Sequence, residues 1–279
     1  MVGLDVVWKR LLTERYGYTP EQANRFVAGP CFQAWWGMNN LEGWGGPNPA
    51  WWYDRQAKLA GLIGEREREL GMEPVLPGYA GMVPADFTAI TGHNAISQGN
   101  WCAFVRPYIL DPNSESFSRV AADYYDILHQ VMGKSSYYSI DPFHEGADIS
   151  GIDVPAAYAS LWRTLSAAAP DASWVIQRWQ WSPAQHTVLD KVPKGRLIIL
   201  DLFSDAHSHF QDYKGHEAVW CMLPNFGGRT GMTGRFNGVL TDYFTAVKVH
   251  DNVKGVGATP EGIGQTPVLY DLLFELPWL

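Results

Sequence analysis

Cysteine is scarce in this sequence. Only Cys31, Cys102 and Cys221 occur among its 279 residues, and none of them falls in a CxxC spacing. An odd number of widely separated cysteines favours neither a disulfide framework nor a zinc knuckle. Because free cysteines are usually buried in folded proteins, we expect three buried thiols.

Positive charge is also sparse. The chain carries 21 Lys and Arg against 29 Asp and Glu, which gives a formal net charge of -8. Proteins bind phosphate backbones with clustered Lys and Arg, and the sequence contains no basic run. We therefore expect no nucleic-acid partner, and the same charge balance disfavours an anionic membrane surface.

Long apolar runs are absent. A membrane-spanning helix needs about 20 consecutive apolar residues, and no stretch of this sequence approaches that length. Residues 1–10 lack the basic start, apolar centre and small-residue cleavage site of a signal peptide. The sequence thus predicts a soluble chain with no membrane span and no export signal in this segment.

Tryptophan, in contrast, is abundant. The chain has 13 Trp, 46% hydrophobic residues and 18% charged residues, a composition typical of a globular protein with a large core. Sugar rings stack their apolar C–H faces on indole rings, while their hydroxyls need polar partners. We therefore expect many Trp side chains to line a sugar-binding cleft, and the alternative is a Trp-rich core.

Helical and strand patterns alternate along the chain. The patterns predict helices over 4–16, 20–27, 51–70, 118–132, 155–168, 184–191, 239–250 and 267–276, and strands over 73–79, 137–143, 173–179, 196–203, 218–225 and 253–258. Such alternation indicates an α/β fold with a parallel sheet. A closed (β/α)8 TIM barrel has eight strands. We therefore predict a single incomplete TIM-barrel domain over residues 1–279, with about six strands and the first two missing.

Two acidic residues follow strand-like runs. Glu145 lies in YSIDPFHEG (138–146), and Glu261 lies in KGVGATPEG (254–262). Catalytic groups of a TIM barrel lie at the carboxyl ends of its strands, so two carboxylates that are 116 positions apart (261 minus 145) can converge on one pocket. Such a pair is the usual catalytic set for glycoside cleavage. The alternative for each residue is a solvated charge at a strand end.

Several segments together resemble one protein family. They are AWWGMNNLEGWGGP (34–47), GMEPVLPGYAGMVP (71–84), YSIDPFHEG (138–146), LIILDLF (197–203), WCMLPNFGG (220–228) and TPEGI (259–263). In this order they resemble the α-N-acetylglucosaminidases of glycoside hydrolase family 89. The resemblance implies a (β/α)8 catalytic domain that removes terminal α-linked N-acetylglucosamine from glycans with retention of configuration. It also implies no metal or organic cofactor, and a periplasmic, secreted or lysosomal address.

The resemblance assigns roles to both carboxylates. Glu145 matches the family's general acid/base, and Glu261 matches its catalytic nucleophile. In a retaining enzyme the two carboxyl groups lie about 5 to 5.5 Å apart. The nucleophile must stay ionised, whereas the acid is helped by a raised pKa.

The resemblance also marks candidate binding residues. Trp35, Asn40 and Trp179 match positions that line the family's sugar pocket, and His144 stands where some relatives have Asn. Four further side chains end or follow predicted strands and are either sugar contacts or groups satisfied by neighbouring protein atoms. These four are Gln177, Asp201, Trp220 and Asn225.

The ends of the chain leave alternatives open. Residues 2–8 align with the family segment that follows the second barrel strand, and 276–279 with the end of the barrel. We therefore expect the flanking amino-terminal and carboxy-terminal helical domains to be absent. One alternative function is a catalytically inactive sugar-binding fragment, and another is a barrel hydrolase for a different hexosaminide. A metal site at Asp205, His207 and His209, near Asp201, is a further alternative for which no additional ligand has suitable spacing.

Overall fold

The computed structural model describes residues 2–207, 210–229, 231, 234–262 and 264–279. His209, part of the alternative metal site, lies outside these residues. Within them, the α-helices are α1 (Leu4–Arg15), α2 (Pro20–Phe26), α3 (Gln33–Gly37), α4 (Ala50–Glu69), α5 (Phe87–Thr91), α6 (Glu115–Met132), α7 (Val154–Ala168), α8 (Val188–Lys191), α9 (Phe236–Val249) and α10 (Pro267–Glu275). Short 3-10 helices span Pro30–Phe32, His144–Gly146, Gln185–Thr187, Tyr213–Gly215, Phe226–Gly228 and Leu276–Trp278.

The strands of the described residues form one large sheet and two small ones. They are β1 (Val75–Pro77), β2 (Met82–Val83), β3 (Ala95–Ile96), β4 (Asn100–Trp101), β5 (Phe104–Val105), β6 (Tyr108–Leu110), β7 (Tyr137–Ser139), β8 (Ser173–Arg178), β9 (Leu197–Asp201), β10 (Glu217–Met222) and β11 (Val253–Ala258). The large sheet has the order β1-β7-β8-β9-β10-β11. Strand β1 pairs in parallel with β7, and β10 pairs in parallel with β9 and β11.

The six predicted strands are confirmed. Each forms part of the parallel sheet, and each is followed along the chain by helical structure, as in a βα repeat. Strand β9 consists of Leu-Ile-Ile-Leu-Asp, a nearly continuous apolar run that suits a strand covered on both faces. The sheet agrees with the α/β class and with an incomplete TIM barrel.

The small sheets were not predicted. Strand β6 pairs antiparallel with β2 and β3, and β4 pairs antiparallel with β5. These strands are two or three residues long, which is too short for an alternating pattern to be recognised. They occupy the connection between β1 and α6.

The chain divides into two compact units. The first comprises residues 1–174 and 182–192, and the second comprises 175–181 and 193–279. Strand β8 begins in the first unit and continues in the second. The prediction of a single domain stays a prediction.

An aromatic cluster forms part of the core of the first unit. The indole of Trp8, which is 2% exposed, lies with its centroid 5.2 Å from the Phe26 ring, 5.6 Å from Tyr124 and 6.1 Å from Tyr79. Helix α2 joins this core with a capping box, in which the Thr19 hydroxyl accepts the N–H of Gln22. Thr19 thus caps the amino-terminal end of α2.

The core of the second unit corrects one site prediction. Trp220 of β10 is 1% exposed and packs with Met222 and with Val239 and Tyr243 of α9; Leu269, Leu273 and Leu276 complete the cluster. Its indole centroid lies 6.0 Å from the Tyr243 ring. Trp220 is therefore a core residue, and the prediction of a sugar contact at this position was wrong.

Two expectations from composition also change. Cys221 is buried as expected, but Cys31 and Cys102 are exposed, so the prediction of three buried thiols was wrong. Trp8, Trp36 and Trp174 are core residues whereas Trp35 and Trp44 are exposed, so the alternative of a Trp-rich core applies to only some of the tryptophans and the sugar-binding cleft stays a prediction. Among the described residues, no helix has the length and apolar character needed to cross a membrane.

Candidate active site

Glu145 lies in a tight left-handed turn that follows β7. Its backbone has φ 46° and ψ 56°, and Phe143 two residues earlier has φ 60°. Non-glycine residues in this region cost about 1–3 kcal/mol and persist where neighbouring groups hold them. Arg106 Nη2 donates to the Glu145 carbonyl oxygen at 2.7 Å, and Gln185 Nε2 donates to the Phe143 carbonyl oxygen at 3.4 Å. The turn is thus fixed by side chains distant in sequence.

The carboxylate of Glu145 is bound by Asn40. The Asn40 amide Nδ2 donates to Glu145 Oε2 at 2.6 Å, and Asn40 is fully buried at 0% exposure. Its Oδ1 accepts a hydrogen bond from Arg106 Nη1 at 3.0 Å, so the orientation of the amide is set on both sides. The predicted site residues Asn40 and Glu145 are therefore in direct contact.

Arg106 is a site residue that the sequence analysis missed. Its side chain is 1% exposed and also donates from Nη1 to the Asn39 carbonyl oxygen at 3.2 Å. Burial lowers the pKa of its guanidinium, while the nearby charge of Glu145 acts in the opposite direction. The available signal was a single arginine within the apolar segment FVRPYIL (104–110). A charge in such a segment is either paired or part of a site.

His144 is buried next to the same carboxylate. It is 7% exposed, and its Nε2 lies 4.0 Å from Glu145 Oε2. Burial lowers the pKa of the imidazole, against the opposing effects of Asp141 and Glu145. The imidazole is therefore neutral at neutral pH.

Trp35 presents an indole to solvent in the glycine- and aromatic-rich loop 32–47. The side chain is 39% exposed, whereas its neighbour Trp36 is 1% exposed. The backbone oxygen of Trp35 accepts the N–H of Asn40 at 2.9 Å. The exposed indole is thus joined through the backbone to the residue that binds Glu145.

The second candidate carboxylate, Glu261, follows β11 and is bound by the loop that follows β10. Gly227 N–H donates to Glu261 Oε2 at 2.5 Å. The backbone N–H of Glu261 donates to Asn225 Oδ1 at 3.0 Å, and Asn225 Nδ2 donates back to the Glu261 carbonyl oxygen. Backbone and carboxylate of Glu261 are therefore both held by residues 225–227.

The side-chain amide of Asn225 binds neighbouring backbone groups through both its nitrogen and its oxygen. It is 1% exposed, and its second amide hydrogen bond goes from Nδ2 to the Gly264 carbonyl oxygen at 3.1 Å. Both N–H donors of the amide are in use, and its oxygen accepts the Glu261 N–H. Of the two alternatives for this residue, the structure supports a group satisfied by neighbouring protein atoms, so the assignment as a sugar contact is corrected.

Trp179 belongs to an aromatic group in the second unit. Its ring centroid lies 6.0 Å from Phe226 and 6.4 Å from Phe203, and the latter two rings stack at 5.5 Å. Phe226 is 42% exposed, so the group reaches the surface. Phe203 and Phe226, which the sequence analysis did not select, accompany the predicted residue Trp179.

Asp201 and Gln177 lie at the ends of β9 and β8. Asp201 is 2% exposed, and its Oδ1 is 4.0 Å from Arg178 Nη1. The pKa of Tyr213 is raised by burial first and by the charge of Asp201 second. Gln177 is half-buried, and its backbone oxygen accepts the indole N–H of Trp181 at 2.9 Å. Asp201 thus has charged and phenolic neighbours, and a sugar contact at either residue stays a prediction.

A cavity of about 270 Å³ lies beside Phe203 and Phe226. Its lining consists of Phe203, Asp205, Leu223, Pro224, Phe226, Arg229, Gly234 and Arg235. Asp205 is 3% exposed and accepts the Leu223 N–H at 2.9 Å through Oδ1. Burial raises its pKa. In the described ranges no group of three or more His, Cys, Asp or Glu side chains is arranged to hold a metal ion.

The chain is similar to proteins of known family. Residues 1–279 match the model of the family described as "Alpha-N-acetylglucosaminidase (NAGLU) tim-barrel domain". The chain is 33% identical to the human protein named "Alpha-N-acetylglucosaminidase" over 295 residues, which cover 99% of this chain and 40% of that protein. The chain therefore spans well under half the length of its human relative.

Solved structures of a family 89 glycoside hydrolase from Clostridium perfringens are also similar. One, in complex with 2-acetamido-1,2-dideoxynojirmycin, has a TM-score of 0.94 and 35% sequence identity over 100% of this chain and 32% of that chain. Another carries two Glu→Gln substitutions and holds its substrate GlcNAc-α-1,4-galactose, with a TM-score of 0.94 and 34% identity over the same shares.

Proposed function

This chain belongs to the α-N-acetylglucosaminidase TIM-barrel family, and we propose that it hydrolyses terminal α-linked N-acetylglucosamine from glycans by a retaining mechanism. The observation that carries the proposal is that Glu145 and Glu261 are each held by a buried asparagine. Asn40 binds the carboxylate of Glu145, and Asn225 binds the backbone of Glu261. Side chains at the surface do not need such fixed orientation, whereas reacting carboxylates do.

Glu261 acts as the nucleophile. Its Oε2 accepts the Gly227 N–H at 2.5 Å, which fixes one carboxylate oxygen and leaves Oε1 for attack on the anomeric carbon. The attack forms a covalent glycosyl-enzyme intermediate as the bond to the leaving oxygen breaks. Hydrolysis of this intermediate regenerates the carboxylate, and two inversions give net retention.

Glu145 acts as the general acid and then as the general base. In the first step it donates a proton to the leaving oxygen, and in the second it takes a proton from the attacking water. We assign this proton to Oε1, because Oε2 accepts the hydrogen bond from Asn40 Nδ2. His144 is buried beside it, with its Nε2 4.0 Å from Glu145 Oε2.

Exposed Trp35 and half-buried Trp179 bind the sugar. Trp35, at 39% exposure, offers an indole face for stacking on the ring, and Trp179 offers a second face within its aromatic group. His144 supplies a polar contact to the ring substituents. The substrate is a glycan with a terminal α-N-acetylglucosamine, and the reaction uses these side chains without a cofactor.

The relatives support this assignment. The human relative is named for this activity, and the bacterial relative was trapped with GlcNAc-α-1,4-galactose when two of its glutamates were replaced by glutamine. A pair of glutamates is what a two-carboxylate mechanism requires.

Release of nitrophenol from 4-nitrophenyl α-N-acetylglucosaminide tests the proposal. The purified chain, Glu145→Gln and Glu261→Gln are compared, with Glu65→Gln, a change on the exposed surface of α4, as the control. We expect turnover by the chain and the control, and at least a roughly 1,000-fold loss in both site variants with unchanged thermal unfolding. Binding of the sugar without turnover in the unaltered chain would overturn the proposal in favour of a sugar-binding fragment.

A further inference from the structure

We infer that Asn225 is the positioning residue of the nucleophile: its side-chain amide sets the backbone of Glu261 and thereby the position of the Glu261 carboxylate. This inference rests on the proposed role of Glu261. It differs from a sugar contact, because Asn225 acts on the reaction only through Glu261.

The amide of Asn225 pairs with Glu261 as one backbone strand pairs with another. Oδ1 accepts the Glu261 N–H at 3.0 Å, and Nδ2 donates to the Glu261 carbonyl oxygen. These two hydrogen bonds run in opposite directions to the same residue, which fixes both its distance and its rotation. A third bond, from Nδ2 to the Gly264 oxygen at 3.1 Å, extends the pairing past Glu261.

The same loop also delivers the donor that meets the carboxylate. Gly227 has φ +70°, a conformation that favours glycine, and its N–H points to Glu261 Oε2 at 2.5 Å. The Gly228 N–H donates to the Asn225 carbonyl oxygen at 2.8 Å and closes this turn. Asn225 therefore has two roles. Its side chain holds the Glu261 backbone, and its carbonyl oxygen closes the turn that contains Gly227, the donor to the Glu261 carboxylate.

The two loops meet without intervening side chains. A Cβ added to Gly262, whose φ is +75°, would lie 3.2 Å from Gly228 Cα. The loops after β10 and β11 are therefore in backbone contact beside the Asn225 amide. The hydrogen bonds of Asn225 align the two loops at Glu261, and Thr266 Oγ1 joins them further along by donating to the Gly231 oxygen at 3.1 Å.

Loss of this amide would displace the nucleophile. Without it, the Glu261 N–H and the Gly264 carbonyl oxygen lose their bonds to Asn225, and the Glu261 carbonyl oxygen keeps the 3.4 Å bond from Gln265 Nε2. A displacement of about 1 Å of a reacting group can cost about 100-fold in rate. Since sugar-stacking side chains are untouched, the loss falls on kcat and not on KM.

Three variants separate positioning from stability. Asn225→Ala removes all three hydrogen bonds. Asn225→Asp keeps the size and the acceptor oxygen but replaces the donor with a charge that faces two carbonyl oxygens. Asn252→Ala is the matched control, because Asn252 is also buried in the second unit and its Nδ2 donates to the carbonyl oxygens of Gln211, Asp212 and His216, at the amino-terminal ends of β10 and β11.

The first readout is kinetic. We expect kcat on the nitrophenyl glycoside to fall about 100-fold in Asn225→Ala and Asn225→Asp, with KM within about threefold of the original value. Asn252→Ala should keep kcat within about threefold although its thermal unfolding midpoint falls. Protonation of the carboxyl group introduced by Asn225→Asp restores a donor, so the kcat of this variant relative to the unaltered chain should rise as the pH is lowered towards about 4.5.

The second readout is independent of turnover. We expect hydrogen exchange of the Glu261 and Gly227 amides to accelerate at least about tenfold in Asn225→Ala and to be unchanged in Asn252→Ala. Unchanged exchange at Gly227 would overturn the inference, as would an Asn225→Asp variant with the original kcat. Activity in Glu261→Gln would contradict the proposed function itself. An inactive Glu261→Gln together with an Asn225→Ala variant that behaves like Asn252→Ala would contradict the positioning inference alone.

Discussion

The side-chain amide of Asn40 donates a 2.6 Å hydrogen bond to Oε2 of Glu145, and the same amide accepts one from Arg106. The neutral amide of Asn40 lies between the Arg106 guanidinium and the Glu145 carboxylate. Arg106 therefore fixes the orientation of the amide, and through it that of the carboxylate, without a direct contact between the two charged groups. Hydrogen bonds to charged groups contribute about 1.5–3 kcal/mol. The arrangement makes the acid/base of the proposed mechanism depend on two side chains from other parts of the chain.

Removal of the Asn40 amide should slow the reaction. Asn40→Ala is expected to lower kcat/KM by about 10- to 100-fold, which corresponds to the loss of one hydrogen bond to a carboxylate. Steady-state kinetics on the nitrophenyl glycoside measures this. Asn113→Ala, at an exposed turn, is the control and should be unchanged. An Asn40→Ala variant with the kinetics of the unaltered chain would contradict the assigned contact.

Arg106 should not be replaceable by lysine. Its guanidinium reaches the Asn39 oxygen, Asn40 Oδ1 and the Glu145 oxygen at once, whereas an ammonium is a single point donor. We expect Arg106→Lys to lose about 1–3 kcal/mol of unfolding free energy in urea and to lower kcat. Arg119→Lys, at an exposed ion pair on α6, is the control. Equal stability of the two lysine variants would show that the fork geometry of Arg106 is unimportant.

Glu42 should make the stability of the fold depend on pH. Burial raises the pKa of its carboxyl to about 7, although the Ala85 N–H donates to Oε2 at 3.0 Å. Since the folded state holds this proton more tightly than the unfolded state, the free energy of unfolding falls as the pH rises from about 4.3 to about 7 and then levels off.

Glu42→Gln is expected to remove that decline. At pH 8 the variant should be more stable than the unaltered chain by at most about 4 kcal/mol, because one pKa unit corresponds to about 1.4 kcal/mol. Urea unfolding at pH 5 and pH 8 measures the difference, and Glu65→Gln on the exposed surface is the control. A variant that loses stability with pH as steeply as the original chain would contradict the role of Glu42.

Gly262 should resist substitution more than another glycine of similar conformation. Gly262 has φ +75° and Gly71 has φ +76°, but an added Cβ meets Gly228 Cα at 3.2 Å only at Gly262, while it meets nothing within 4 Å at Gly71. We expect Gly71→Ala to cost about 1 kcal/mol of stability with unchanged kcat. Gly262→Ala should cost more and should also lower kcat, because it separates the two loops. Thermal unfolding and kinetics of both variants check this, and equal effects would argue against the loop contact.

The strands of the large sheet were predictable because each is an apolar run followed by a helical pattern. The sequence did not show which side of each strand packs against a helix. Strand β10 is Glu-Ala-Val-Trp-Cys-Met, apolar on both sides, so periodicity cannot show that Trp220 faces α9. The small sheets were missed because their strands are too short to show a period.

The two carboxylates and the asparagines that hold them were singled out from the sequence, but Arg106 and the contacts among these groups were not. Glu145 and Glu261 were found through their strand-end positions and motifs. Their partners are fixed by tertiary contacts, since Arg106 lies 39 positions before Glu145 and Asn225 lies 36 positions before Glu261. A sequence shows which side chains can form hydrogen bonds. It does not show whether such a side chain binds a sugar or a neighbouring loop.

The configuration of azide products tests the central claim most directly. In a retaining mechanism, azide that replaces water after loss of the acid/base attacks the covalent intermediate, whereas azide that replaces the nucleophile attacks the substrate itself. We predict that Glu145→Ala with azide and an activated aryl α-N-acetylglucosaminide yields the α-glycosyl azide, and that Glu261→Ala yields the β-glycosyl azide, as read from the anomeric proton by NMR. The same anomer from both variants, or the two anomers exchanged, would contradict the roles assigned to Glu145 and Glu261.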